Sequence, residues 1–215
     1  YEALVRWNHP ERGVVPPADF LPVAEETGLV IELGTHMLEQ VCALIAARPD
    51  ITATFSVNKS PLQINRPDWR AHFLETVLSR GVDPGRLVIE VTESAVLSHI
   101  DKVADDLRHL RTLGIGLHID DFGTGYSSIA LLRDLPVTGI KLDRSFTEHV
   151  VDAREARVVA AGLASLADGL DLVSIAEGIE EPAQATILAE LGWTHAQGYL
   201  FGRPAPQPAT ELPTA

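Results

Sequence analysis

Polar residues recur at the ends of otherwise apolar runs in this chain, and their types suit one chemistry. Asn58 closes TFSVN, Glu90 and Glu93 sit in VIEVTE, Asp120 and Asp121 close LHIDD, Lys141 lies in GIKLD, Glu177 ends VSIAE and Gln197 sits in AQGYL. Glu2 stands near the start of a further run, ALVRW, and the sequence alone does not show that it points inward. A single carboxylate at a strand end is ordinarily a solvated terminus, but six runs ending in polar groups point to a shared site. If Glu2, Glu90, Asp120, Asp121 and Glu177 face one another, they repel and raise each other's pKa unless cations neutralise them. Two divalent ions and Lys141 would balance that charge. The available ligands are oxygens, from carboxylates and the Asn58 amide, with no cysteine cluster or paired histidines, which selects Mg²⁺ or Mn²⁺ over zinc. Adjacent Asp120 and Asp121 suit a two-metal arrangement in which one carboxylate bridges the ions. The reaction class is metal-assisted phosphoester hydrolysis.

Such a site needs elements that bring the run ends to one place. Strand-like runs at 3–7, 52–58, 86–92, 114–120, 139–143, 171–177 and 196–201 alternate with helical patterns at 17–47 (broken near Gly34), 68–80, 99–113, 126–133, 153–168 and 182–191. The clearest helix is 99–113: Ser98 is placed as N-cap, Ile100, Val103, Ala104, Leu107 and Leu110 recur at helical spacing, and Gly114 is the stop. Near-continuous apolar strands with crossover helices imply a parallel sheet buried on both faces. No G-x-G-x-x-G or Walker A loop follows a strand, which weakens a doubly wound nucleotide fold. An α/β, TIM-like (β/α)8 barrel remains, and in such barrels the strand ends converge on one catalytic mouth. The chain opens at Tyr1 inside an apparent strand, so the expectation is a fragment whose first strand lies upstream, leaving an unpaired edge prone to aggregation.

Composition narrows the partners. The 215 residues carry 17 basic and 30 acidic side chains, a net charge of −13, and that field opposes gripping a nucleic-acid polymer. The one cysteine, Cys42, reads as a small buried hydrophobe, and its solitude fits a reducing, cytoplasmic compartment. No apolar stretch is expected to reach membrane-spanning length, so no membrane contact is expected of this domain, although the parent protein could be anchored elsewhere. Residues 1–204 read as one domain, and 205–215, rich in proline, as a flexible tail.

After the paired aspartates comes FGTGYSS, in which Gly123 and Gly125 permit a sharp turn and Thr124, Ser127 and Ser128 can cap the next helix. With EALVRW (2–7), FSVNKS (55–60), IEVTES (89–94), DDFGTGYSS (120–128), IKLDRSF (140–146), AEGIE (176–180) and QGYLFGRP (197–204), in that order, the chain resembles the EAL domain, the bacterial phosphodiesterase of cyclic di-GMP. The resemblance implies a barrel whose first strand runs antiparallel to the others behind a helix, both missing here. It places metal ligands on Glu2, Asn58, Glu90, Asp120 and Asp121, and gives Glu177 either to the second metal or to general-base duty. Lys141 matches the lysine that orients the attacking water, Gln197 a supporting residue on the second-metal side, and Glu93 the carboxylate that anchors the DDFGTG loop and couples it to dimerisation. Arg6 and Asp143 match substrate-binding positions. The implied partners are cyclic di-GMP, a second copy of the chain, and an upstream sensor or diguanylate cyclase-like domain.

Two positions depart from the family pattern. Lys59 stands where many members carry an apolar residue and is expected to be a local surface change. His118 stands where a small or apolar residue is common; strand alternation puts it on the Asp120 face, as a satisfied core histidine or as a group tuning metal affinity. The rival to hydrolysis is a module that binds cyclic di-GMP or a protein without turnover, for which degenerate ligand positions would be the sign, and none is degenerate. A barrel hydrolase acting on another phosphoester is a third reading.

Overall fold

The computed structural model describes residues 1–93, 95, 100–123 and 128–208. The chain divides into two compact units, Tyr1–Val91 with Ser98–Gly116, and Thr92–Leu97 with Leu117–Ala215.

In the first unit, strand β1 (Glu2–Ala3) pairs in parallel with β4 (Phe55–Asn58), Glu2 opposite Ser56, and β4 pairs in parallel with β5 (Leu87–Thr92), bringing Asn58 opposite Glu90. The run ALVRW is therefore not one strand. It leaves the sheet after Ala3, and β2 (Trp7–His9) turns back antiparallel on β3 (Gly13–Val15) as a separate hairpin. Helix α1 (Leu21–Thr27) ends at Gly28 with φ 80, and α2 (Val30–Ala47) then runs unbroken through Gly34. The expected break thus falls six residues earlier, where a left-handed residue closes α1. Gly34 leaves space for a neighbour: a Cβ there would lie 1.6 Å from Gln63 Nε2 of α3 (Pro61–Ile64), a short helix the apolar pattern did not reveal.

Helix α2 also corrects the expectation about spanning length. It has 18 residues and a mean hydropathy of 1.3, enough to cross a membrane by length and composition. Its Leu38, Val41, Cys42 and Ile45 are buried, and it packs on β4, α3 and α4 (Trp69–Ser79). Helix α5 (Ile100–Thr112) turns Val103, Ala104, Leu107 and Leu110 inward and stops at Gly114, φ 96, as the periodicity requires; its proposed cap, Ser98, lies outside the described residues. Lys59 is not a surface change. It is buried, 9% exposed, behind β4.

In the second unit, β6 (Gly116–Phe122), β7 (Gly139–Leu142), β8 (Val173–Ala176) and β9 (His195–Ala196) pair in parallel in that order. The connections carry α6 (Ser128–Asp134), α7 (Arg144–His149), α8 (Arg154–Gly169) and α9 (Pro182–Glu190). Ala156, Ala160, Ala164 and Ala167 form the buried stripe of α8, small enough to let the helix approach β7 and β8 closely. The run AQGYLF is strand only at its start. Beyond Ala196 the chain turns, and Gly198 sits so tightly on Ile179 that a Cβ would lie 2.0 Å from the Ile179 carbonyl oxygen.

Gly198→Ala should destabilise the protein by about 3 kcal/mol or more, because backbone cannot yield as a side chain does. Gly162→Ala, within α8 and with nothing inside 4 Å of the added methyl, should stabilise it by roughly 0.5–1 kcal/mol, raising Tm by about 2–3 °C. Thermal unfolding of the two variants beside the parent checks both signs.

Candidate functional site

A parallel strand alternates its side chains, so Asp120 and Asp121 would ordinarily face opposite sides of β6. They do not, because the register with β7 slips. His118 pairs with Gly139 and Ile119 with Ile140, but Phe122 pairs with Leu142, so three steps along β6 match two along β7. The extra residue is a β-bulge, and Asp121 absorbs it with φ 54. Aspartate tolerates this left-handed conformation better than most residues with a Cβ, at a cost on the order of 1 kcal/mol. The Asp121 N–H donates to Asp120 Oδ1 at 3.0 Å, and one carboxylate oxygen from each of Asp120, Asp121 and Glu177 lies within 4.8 Å of the others.

Lys141 is the cation among them. Its side chain is 1% exposed, and Nζ lies 2.8 Å from Glu177 Oε1 and 3.4 Å from Asp120 Oδ1. Position follows from sheet register: Lys141 lies opposite Ile175, and Glu177 leaves the end of β8 with its N–H donating to the Leu142 carbonyl. One ammonium does not neutralise three carboxylates. Burial, then Asp120 and Asp143, push the Asp121 carboxyl up to about 6, with Lys141 opposing. Three hard oxygen donors within 4.8 Å of one another are of the kind that holds a divalent metal ion.

The remaining predicted residues fall as follows. In the first unit, the Asn58 amide donates to Glu2 Oε1 at 2.7 Å, and Glu90, 2% exposed, lies opposite Asn58. Those three form a second oxygen-rich group, and the pairing shows that Glu2 shares a face with Asn58. Glu93 is buried just beyond β5. Gln197 follows β9, its N–H on the Ala176 carbonyl and its own carbonyl accepting from the Ile179 N–H. Gly123, φ 102, turns the chain where a Cβ would press on Leu163 and Phe146. Arg6 is exposed in the loop between β1 and β2, its guanidinium on the Val5 carbonyl. Asp143 caps α7, Oδ1 accepting from the Ser145 N–H at 3.0 Å and from its hydroxyl. That helix was missed; Asp143 followed by Ser145 was the available signal. Thr124 and Gly125 lie outside the described residues.

His118 is buried on the Asp120 strand, as alternation requires, but it is not a satisfied core histidine: among the described residues its Nδ1 has no hydrogen-bond partner. Its ring occupies the space beside Gly139, where a Cβ would lie 2.7 Å from Nε2 and Cδ2. Burial, then Lys141 and His195, depress its pKa to about 4.

A family profile described as EAL domain matches residues 1–204. The chain belongs to the EAL domain family. An uncharacterized signaling protein of Caulobacter vibrioides is 40% identical over 212 residues, which are 99% of this chain and 26% of that protein. The bifunctional diguanylate cyclase/cyclic di-GMP phosphodiesterase MucR of Pseudomonas aeruginosa is 36% identical over 208 residues, 95% of this chain and 30% of MucR. The chain thus spans about a quarter to a third of the length of these curated relatives. Among solved structures, the PaMucR phosphodiesterase in its c-di-GMP complex matches with a TM-score of 0.90 at 36% identity, over 95% of this chain and 84% of that one. The EAL enzyme Bd1971, in its cAMP- and cyclic-di-GMP-bound form, matches with a TM-score of 0.90 at 30% identity, over 94% of this chain and 57% of that one. The fold of this EAL domain is therefore the α/β, TIM-barrel-like one that the strand and helix pattern called for.

The His118 shift has a definite sign. Its ordinary pKa is 6.5 and its folded value is about 4, so between those pH values the unfolded chain binds the proton better and stability is lost on acidification. In metal-free protein His118→Leu should flatten the fall in unfolding free energy between pH 6.5 and 4 by up to about 3 kcal/mol. Denaturant titrations across that window measure it, and parallel curves for the two proteins would contradict it.

Proposed function

We propose that this EAL domain hydrolyses one phosphodiester bond of cyclic di-GMP, giving linear pGpG, and that it requires Mg²⁺ or Mn²⁺. The observation that carries this reading is the Asp120, Asp121 and Glu177 cluster held by buried Lys141, in a chain whose relative MucR is a cyclic di-GMP phosphodiesterase by name. Asp120, Asp121 and Glu177 would hold the ions, with Glu2, Asn58 and Glu90 as the further ligands that the family motifs imply. Bound there, divalent ions supply Lewis-acid activation of water and neutralise charge on the phosphoryl oxygens.

The chain's own residues do the rest. Lys141 holds the Glu177 and Asp120 carboxylates in fixed orientation. Glu177 is positioned to accept a proton from the attacking water or to complete the second metal's ligands. The β6 bulge turns the Asp121 carboxylate toward the same point. Arg6 and Asp143 bind substrate. A second copy of the chain, a cytoplasmic setting and an upstream cyclase-like or sensor domain belong to the same proposal; relatives several times longer than this chain support the last.

Incubating the purified domain with cyclic di-GMP and Mg²⁺ or Mn²⁺, with and without chelator, should yield pGpG only in the metal-containing samples. Asp120→Ala and Glu2→Ala should each lower kcat by roughly a thousandfold, whereas Arg6→Ala should mainly raise KM. Full metal-dependent turnover by either carboxylate variant would refute the site, and binding of cyclic di-GMP without product would favour a receptor.

A further inference from the structure

The first unit contains a second buried lysine, with surroundings unlike those of Lys141. Lys59 lines a cavity of about 130 Å³ between α2, α3 and α4. The side chain is buried, and its ammonium faces a ring: Nζ stands 5.4 Å from the Phe73 centroid. Among the described residues no carboxylate pairs with it. Asp68, the one acid lining the cavity, is held by Arg66 in a two-point pair at 3.0 and 2.9 Å. Beside Phe73, at 6.4 Å and edge to face, lies the indole of Trp69, whose buried Nε1 also has no hydrogen-bond partner among the described residues.

Both unmet groups are donors. An ammonium withdrawn from water regains less from a ring face than its hydration supplied, and a buried indole N–H without an acceptor carries its own desolvation cost. An acceptor carrying negative charge in the cavity would satisfy the ammonium. The rest of the lining includes Ile31, Leu38 and the two rings, so the space suits an apolar body behind that acceptor. The volume is close to that of a cavity able to hold a benzene-sized molecule.

We propose that this cavity binds a small carboxylate with a compact apolar body, its oxygens accepting from the Lys59 ammonium, beside the Trp69 and Phe73 rings. The site uses none of the residues assigned to phosphodiester cleavage, so it stands whether or not that reaction occurs.

The test follows the Trp69 indole N–H resonance by NMR in the purified ¹⁵N-labelled domain, assigned through Trp69→Phe, while sodium benzoate, benzyl alcohol or inorganic phosphate is added. Benzoate, seated beside the Trp69 ring, should shift that resonance saturably with a Kd in the low millimolar range, roughly, as one charged contact and an aromatic body allow. Lys59→Met keeps the side-chain volume and removes the charge, and should weaken benzoate at least about tenfold. In the unaltered protein, benzyl alcohol should bind correspondingly more weakly, a comparison that holds even if the variant fails to fold. No shift up to about 50 mM benzoate would overturn the proposal. So would equal binding of benzyl alcohol, or phosphate binding as tightly as benzoate, which would make the cavity respectively a neutral apolar pocket or a plain anion site.

Discussion

A charge taken out of water must find its opposite, and the Lys141 ammonium is the charge around which the second unit's site is built. Lys141 stands in the middle of a parallel sheet at 1% exposure, and the groups that make this tolerable are the carboxylates of Asp120 and Glu177. Each comes from a neighbouring strand, so a single side chain ties β6, β7 and the end of β8 at one level. Pairing also explains how acidic groups can sit in such an apolar sheet: the buried ammonium and its carboxylate partners offset each other's charge.

Backbone irregularities complete the arrangement. The bulge in β6 spends one residue of register to turn Asp121 toward Asp120, and the left-handed conformation it needs falls on a residue type that accepts it. On the adjoining strand, absence of a side chain at Gly139 leaves the volume filled by the His118 imidazole. Gly198 lets the segment after β9 close onto Ile179, next to Gln197. Each of these fixes a side chain by what the neighbouring chain leaves free.

The two buried lysines show how differently one residue type can be accommodated. Lys141 is paired with carboxylates; Lys59 meets an aromatic face and an open cavity, and burial lowers its pKa to about 8. Nothing local in SVNKS distinguishes that burial from a surface position, because the helix that covers Lys59 begins at Trp69, ten residues on. The expectation of a surface lysine failed for that reason.

Local pattern sufficed where a rule depends on neighbours in the chain. The apolar runs at 55–58, 87–92 and 139–142 lie in strands, α5 follows its periodicity to Gly114, and the candidates Asp120, Asp121, Lys141 and Glu177 could be named from their places at run ends. Pattern failed where distant segments decide. ALVRW and AQGYLF are apolar enough for strands, but only Glu2–Ala3 and His195–Ala196 find a sheet partner; Gly34 looked like a helix break but is a gap for Gln63. The amino-acid sequence by itself determined which oxygen donors exist and that they are hard ones, carboxylates and an amide. Only the tertiary structure decided that Asp121 turns back beside Asp120 and that Lys59 lies inside, because register and burial are set by residues far apart in the chain, and no periodicity read along one strand contains them.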